Sequence, residues 1–167
     1  MNDFRRKKNR LEGHDYSQNG AYFITICVKD RHEILWDSTS VGAAFGRPAL
    51  SETGMLIDKE IKKIESIYDC VRIDNYVIMP NHIHMIISLT SIDTMDKEGR
   101  PKAAPTISGI INKFKGSITK QHGSAIWQKL FHDHIIRNDA DYQRIWQYIE
   151  ENPIRWSEDM YYIKSTL

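Results

Sequence analysis

The chain has 167 residues, 41% of them hydrophobic and 27% charged, and a formal net charge of +1. That length suits a single domain with a real core. The near-zero net charge excludes a global electrostatic attraction to nucleic acid, so any anionic partner must be met by a local patch, and no apolar run is long enough to cross a bilayer.

Taken in chain order, the N-terminal "MNDFRRKKNR" is basic and is followed by no apolar stretch, so it does not read as a signal peptide. Residues 1–19 are expected to form a basic arm. "AYFITICV" (21–28) is β-branched and aromatic and predicts a buried strand. Residues 37–50 hold glycines, small residues and a proline, and read as a long excursion. "SETGMLIDKEIKKIESIYD" (51–69) repeats Ile57, Ile61, Ile64 and Tyr68 at helical spacing, with Ser51 as its cap. "VRIDNYVIMP" (71–80) and "NHIHMIISL" (81–89) predict two strands, with Pro80 and Asn81 as a tight connection or bulge. A polar loop (90–106) precedes a second amphipathic helix. Its stripe is Ile107, Ile110, Ile111, Phe114 and Ile118, and it ends at Gly123. "KLFHDHIIRN" (129–138) is a fourth strand candidate. "DADYQRIWQYIEENP" is a third helix, capped by Asn138 or Asp139 and stopped by Pro153. Cys27 and Cys70 lie far apart in apolar stretches and read as small buried hydrophobes in a reducing compartment, which places the protein in the cytoplasm.

The order β-α-β-β-α-β followed by a helix predicts an α+β fold of the ferredoxin-like or RRM-like kind. It is an antiparallel sheet with helices on one face plus a C-terminal helix. That fold hosts many functions and does not choose among them.

Within "PNHIHMIISL" (80–89), His82 and His84 are two apart on a strand, so both imidazoles point to one face while Ile83 and Met85 point to the other. They can hold one metal ion, or they can be core histidines satisfied by hydrogen bonds. Position 86 is Ile86. A third alternating histidine and the HxHxDH pattern of metallohydrolases are therefore both absent. "FHDH" supplies a second pair, His132 and His134. It could face the first if its strand lay beside the third. In "WQYIEENP", Tyr148 and Asn152 share a helix face one turn apart. A helix laid over the sheet could aim both at the histidines, with the Asn152 amide oxygen as a third ligand. Equally, Asn152 could cap a following helix that starts with Pro153, and Tyr148 could be a core aromatic.

Several segments together carry a resemblance over nearly the whole chain. They are "GAYFITICVKDR", "YVIMPNHIHMII", "ISGIINKFKGSITK" and "IWQKLFHDHIIRNDADYQRIWQYIEENPIRW". The sequence resembles the REP-associated tyrosine transposases, the IS200-like family within the HUH single-stranded DNA nuclease superfamily. The segments 37–50 and 91–105 are its least familial parts. The resemblance implies one HUH-type domain over 1–167. In it His82, His84 and Asn152 bind a divalent metal, Mg2+ or Mn2+, and Tyr148, on the helix 139–152, is the catalytic nucleophile. It implies cleavage and rejoining of single-stranded DNA next to a hairpin through a 5′-phosphotyrosine. It is compatible with a monomer or with a homodimer that exchanges the tyrosine helix. DNA-binding candidates are Arg5, Arg6, Lys7, Lys8 and Arg10 of the arm and Lys113, Lys115 and Lys120 of the second helix. Tyr22, Phe23, Trp127 and Trp146 are candidate base-stacking groups. Two other readings use the same fold. One is a metal-free hairpin DNA- or RNA-binding module, and the other is a metal-dependent phosphodiester hydrolase in which Tyr148 is structural.

Overall fold

The structure, a computed structural model, describes residues 19–37, 49–90 and 105–163. Four strands, β1 (Gly20–Cys27), β2 (Val71–Ile78), β3 (His82–Leu89) and β4 (His132–Ile136), form one antiparallel sheet in the order β2-β3-β1-β4. Three α-helices join them: α1 (Glu52–Ile67), α2 (Ile107–His122) and α3 (Asp139–Glu151). This is the expected α+β architecture. β4 is shorter than its sequence signal, and β2 carries a bulge between Ile73 and Asn75.

Each helix begins where the sequence supplies a cap. Ser51 accepts from the Gly54 N–H at 3.0 Å, Thr106 from Gly109 at 3.1 Å and Asn138 from Asp141 at 2.9 Å, each satisfying one of the free amides of a first turn. α2 ends at Gly123, whose φ of +82° closes the last turn in a left-handed conformation that costs glycine little.

The two faces of the sheet have separate cores. Ile24, Ile26, Ile83, Met85 and Ile87 pack on Ile57 and Ile61 of α1 and on Ile107, Ile110, Ile111 and Ile118 of α2, all essentially inaccessible. Each buried isoleucine contributes about 1.5–3 kcal/mol by leaving water. On the other face a smaller cluster joins Val77, Met79 and Ile86 to Ile145 and Ile149 of α3. β3, with a strand on each side and a helix layer on each face, is the centre of the molecule. The alternation of β3 puts His82 and His84 on the α3 side, in line with Ile86.

The outer edge of β2 is closed by side chains. The Ile73 N–H donates to Glu65 Oε1 and the Ile78 carbonyl accepts from Trp36 Nε1, both at 2.7 Å. The Asp37 N–H donates to the Ala49 carbonyl, and Trp36 pairs with Leu50. Cys27 and Cys70 are buried and free. Among the described residues no helix is long and apolar enough to cross a membrane.

Candidate metal and tyrosine site

The two histidines meet as the strand period requires. His82 Nε2 and His84 Nε2 are 2.9 Å apart, and both side chains are buried, at 0% and 1% exposure. Their other ring nitrogens are held from behind: His82 Nδ1 lies 2.8 Å from Asn81 Oδ1, and His84 Nδ1 lies 2.8 Å from Thr25 Oγ1. Burial, reinforced by the charge of Arg31, pushes the pKa of His82 down to about 3. Burial and the neighbouring His82 hold His84 well below its usual value. Both are therefore neutral near pH 7, the state in which imidazole is a ligand.

α3 brings the other two candidates to the same place. Ile145 and Ile149 dock the helix on the sheet, which turns Tyr148 toward the histidines. Tyr148 Oη lies 3.2 Å from His84 Nε2, with the two rings 5.2 Å apart. Tyr148 is 39% exposed. Asn152 closes the helix, its N–H donating to the Tyr148 carbonyl at 3.0 Å. Its side chain caps no following helix. Nδ2 donates to Asp159 Oδ2 at 2.9 Å, while Oδ1 is buried and has no hydrogen-bond partner among the described residues.

The sequence reading missed Asp159. It follows a short 3-10 turn, Trp156–Glu158, and bends back over the site. Its Oδ2 accepts from Tyr148 Oη at 3.1 Å as well as from Asn152, and its Oδ1 accepts from the Tyr161 N–H at 2.6 Å. Ligand atoms of His82, His84 and Asp159 all lie within 4.8 Å of one another. Nothing in "SEDMYY" distinguishes this aspartate from a surface one. It has neither strand nor helix periodicity, and it reaches the site only through a turn. Tyr161, packed 4.5 Å from the His82 ring, was missed for the same reason.

A divalent cation fits this donor set. Two neutral imidazoles, a carboxylate and an amide oxygen with no donor among the described residues are the mixed nitrogen and oxygen groups that such an ion takes. A buried polar oxygen left without a partner otherwise costs about 1–3 kcal/mol. Burial, followed by the charge and hydrogen bond of Asp159, raises the Tyr148 pKa above its ordinary value. A cleft of about 260 Å³ opens beside the phenol, lined by Tyr148, Glu151, Asn152, Arg155, Glu158 and Asp159. A larger cleft of about 430 Å³ runs along the β2 edge, past Trp36, Tyr76 and Pro153, and shares none of these groups.

The remaining candidates are placed as follows. Arg5, Arg6, Lys7, Lys8 and Arg10 lie outside the described residues. The three α2 lysines do not form one uniform patch. Lys115 Nζ donates to the Gln128 and Lys129 carbonyls at 2.6 and 3.0 Å, Lys113 sits 5.6 Å from the Tyr68 ring centre, and Lys120 is exposed. Tyr22 and Trp127 are core residues, and Trp146 packs at 5.9 Å on Tyr142. Phe23 stacks on His84 at 5.1 Å and meets Tyr148 edge-on at 6.1 Å. β4 pairs with β1, so β1 separates His132 and His134 from the first histidine pair. His134 instead pairs with Asp141 at 2.7 Å.

No family model matches the chain. It is 30% identical over 176 aligned positions to an uncharacterized protein of Haemophilus influenzae, covering 95% of this chain and 93% of that one. It is 28% identical over 152 positions to a second protein of that organism, which is named a REP-associated tyrosine transposase. That match covers 84% of this chain and 74% of the relative. Among solved structures, a REP-associated tyrosine transposase bound to a REP hairpin superposes with a TM-score of 0.61 at 23% identity, over 93% of this chain and 74% of the other. At that identity the likeness is one of fold.

Proposed function

We propose that the chain, which is 28% identical to a protein named a REP-associated tyrosine transposase, is a transposase of that kind, and that it cleaves and rejoins single-stranded DNA beside hairpin sequences, with Tyr148 as nucleophile and a divalent ion, Mg2+ or Mn2+, held by His82, His84 and Asn152. The observation that carries the proposal is Tyr148 Oη lying 3.2 Å from His84 Nε2 of the buried histidine pair, with Asn152 one helical turn on and hydrogen-bonded to the same Asp159 carboxylate as the phenol. Asp159 is placed to join the ligands. A relative of the same fold has been seen on a REP hairpin, which supports a hairpin partner here.

In the proposed reaction Tyr148 Oη attacks the scissile phosphorus. A bond forms from Oη to phosphorus and the bond to the 3′ oxygen breaks. The phenolic proton leaves Oη, the 3′ oxygen gains a proton, and the 5′ phosphate stays on the tyrosine. The phosphodiester energy is conserved in that bond, so rejoining needs no nucleotide cofactor. A phenol of ordinary pKa near 10 is a poor nucleophile at neutral pH, and Tyr148 is pushed higher still. A divalent ion held by His82, His84 and Asn152 would supply Lewis-acid polarisation of the phosphate. The chain's own contribution is placement. α3 fixes Oη beside the histidines, His84 Nε2 and Asp159 Oδ2 flank the phenolic oxygen, and Phe23 walls the ring. Orientation of this kind is worth several kcal/mol. The mouth carries Glu151, Glu158 and Asp159 against Arg155 alone. An entering phosphate therefore needs positive charge from deeper in the site, which favours the metal-dependent reading over a metal-free binding module.

The test is a denaturing gel of labelled single-stranded hairpin DNA, taken from the sequence flanking the gene and incubated with protein and Mn2+. A covalent protein–DNA band lost in Tyr148→Phe and in EDTA, with hairpin binding retained by the variant, is expected. Cleavage without an adduct would replace this reading by the hydrolase. An adduct that persists in Tyr148→Phe would remove the nucleophile assignment.

A further inference from the structure

We propose that Asn81 is a positioning residue for the metal site: its side-chain amide sets which nitrogen of His82 carries the proton, and so aims the Nε2 lone pair at the ion. This rests on the reading of His82 as a ligand. Asn81 is fully buried. Its Nδ2 donates to the Tyr161 carbonyl at 2.9 Å and to the Arg31 carbonyl at 3.3 Å. Carbonyl oxygens only accept, so these two partners fix the orientation of the amide. The remaining amide atom, Oδ1, also only accepts, and it faces His82 Nδ1 at 2.8 Å. His82 Nδ1 must therefore be the donor. The ring is held as the Nδ1–H tautomer, and Nε2 is left with its lone pair toward His84 Nε2, 2.9 Å away. Thr25, behind His84, exerts no such control, because a hydroxyl donates or accepts as required.

The surroundings hold the amide as firmly as the amide holds the ring. The Asn81 carbonyl accepts from the Val28 N–H at 2.8 Å, the Pro80 carbonyl from Leu35 at 2.9 Å and the His82 carbonyl from Met79 at 2.8 Å. Asp30 and Arg31 have φ of 54° and 56°. This left-handed conformation is disfavoured for a non-glycine residue, and here it delivers the Arg31 carbonyl to Asn81. Tyr161, whose carbonyl is the other partner, packs its ring on His82 at 4.5 Å, with the Arg31 guanidinium 5.3 Å above it. One buried amide thus links the turn, the C-terminal segment and the ligand ring. An asparagine that only satisfied loop carbonyls would leave the His82 proton indifferent to its removal.

The experiment uses the full chain with 15N-labelled histidine. The imidazole nitrogens of His82 are read by NMR in EDTA, and Mn2+ affinity is measured separately by calorimetry. Wild-type protein is expected to hold His82 as the Nδ1–H tautomer. Asn81→Ala is expected to admit the Nε2–H form and to lose about 10–100-fold in Mn2+ affinity, the usual effect of removing an outer partner of a ligand histidine. Asn81→Asp, which keeps an acceptor, is expected to keep the Nδ1–H form. A wild-type His82 with its proton on Nε2 overturns the proposal without recourse to any variant. So does a folded Asn81→Ala with wild-type tautomer and affinity. A wild type that binds no Mn2+ overturns the metal reading instead, and the tautomer result tells the two failures apart.

Discussion

Tyr148 and Asp159, eleven residues apart, share a hydrogen bond of 3.1 Å from phenol to carboxylate. The carboxylate also takes the Asn152 amide, so one side chain of the C-terminal segment touches both Tyr148 of α3 and the residue that caps the helix. Burial first, and then the negative charge of Asp159, keeps the phenol protonated. Asp159→Asn removes that charge, and the Tyr148 phenol is expected to titrate at lower pH than in the wild type. Labelled-tyrosine NMR across alkaline pH would check this, and an unmoved titration would mean that burial alone sets the shift.

Asn152→Ala deletes the buried oxygen that no described residue partners. Mn2+ affinity is expected to fall at least tenfold, about 1.4 kcal/mol. The metal-free stability should fall by only about 1–2 kcal/mol, the scale of the single hydrogen bond to Asp159. Calorimetry and urea unfolding in EDTA give the two numbers. A larger loss of stability than of affinity would make Asn152 a structural residue.

Acid should weaken the metal-free fold through the histidine pair. The unfolded chain takes up protons on both histidines as pH falls through about 6.5, while the folded chain resists until about 3 at His82 and holds His84 well below its usual value. The stability from keeping them neutral is therefore present above about pH 6.5 and is lost between there and about pH 3. Its steepest slope is about 1.4 kcal/mol per pH unit for each histidine. Urea midpoints at pH 7, 6, 5 and 4 in EDTA should show it, and His82→Gln should flatten the curve. Equal slopes for the two proteins would refute the assignment to His82.

Lys115 and Lys120 are expected to separate by their environments. Lys115 holds two backbone carbonyls, so Lys115→Met should lower stability by about 1 kcal/mol. Lys120 is exposed, and Lys120→Ala should leave the thermal midpoint in place while reducing the salt dependence of hairpin binding by about one counterion. Binding isotherms at several salt concentrations would decide. A Lys120→Ala slope equal to that of wild type would take this residue out of the DNA interface.

How much of this was legible in the sequence depends on the kind of signal. The strands and helices rest on periodicity: Ile57, Ile61 and Ile64 on α1 and the alternation through β3 place themselves. Ser51 and Asn138 announce their helices by side-chain chemistry. The convergence of His82 and His84 follows from the strand period, and the shared face of Tyr148 and Asn152 follows from the helix period. That the two faces meet depends on Ile145 and Ile149 docking α3 across the sheet, which no local pattern states. Asp159 and Tyr161 enter through a turn, where sequence carries no period to read. Lys113 and Lys115 show the converse: their spacing marks a polar helix face, but the Gln128 and Lys129 carbonyls and the Tyr68 ring that engage them come from elsewhere in the chain.

The histidines stand on β3, paired on both sides, and their backbone amides should be among the last in the molecule to exchange with solvent. Tyr148 and Asp159 stand on α3 and on the turn beyond it, elements held by fewer apolar contacts. The two halves of the site thus belong to different tiers of local stability. An opening that carries Tyr148 and Asp159 away from the sheet would leave the histidine half intact, so the phenol could depart and return without unfolding the strand that holds the two imidazoles.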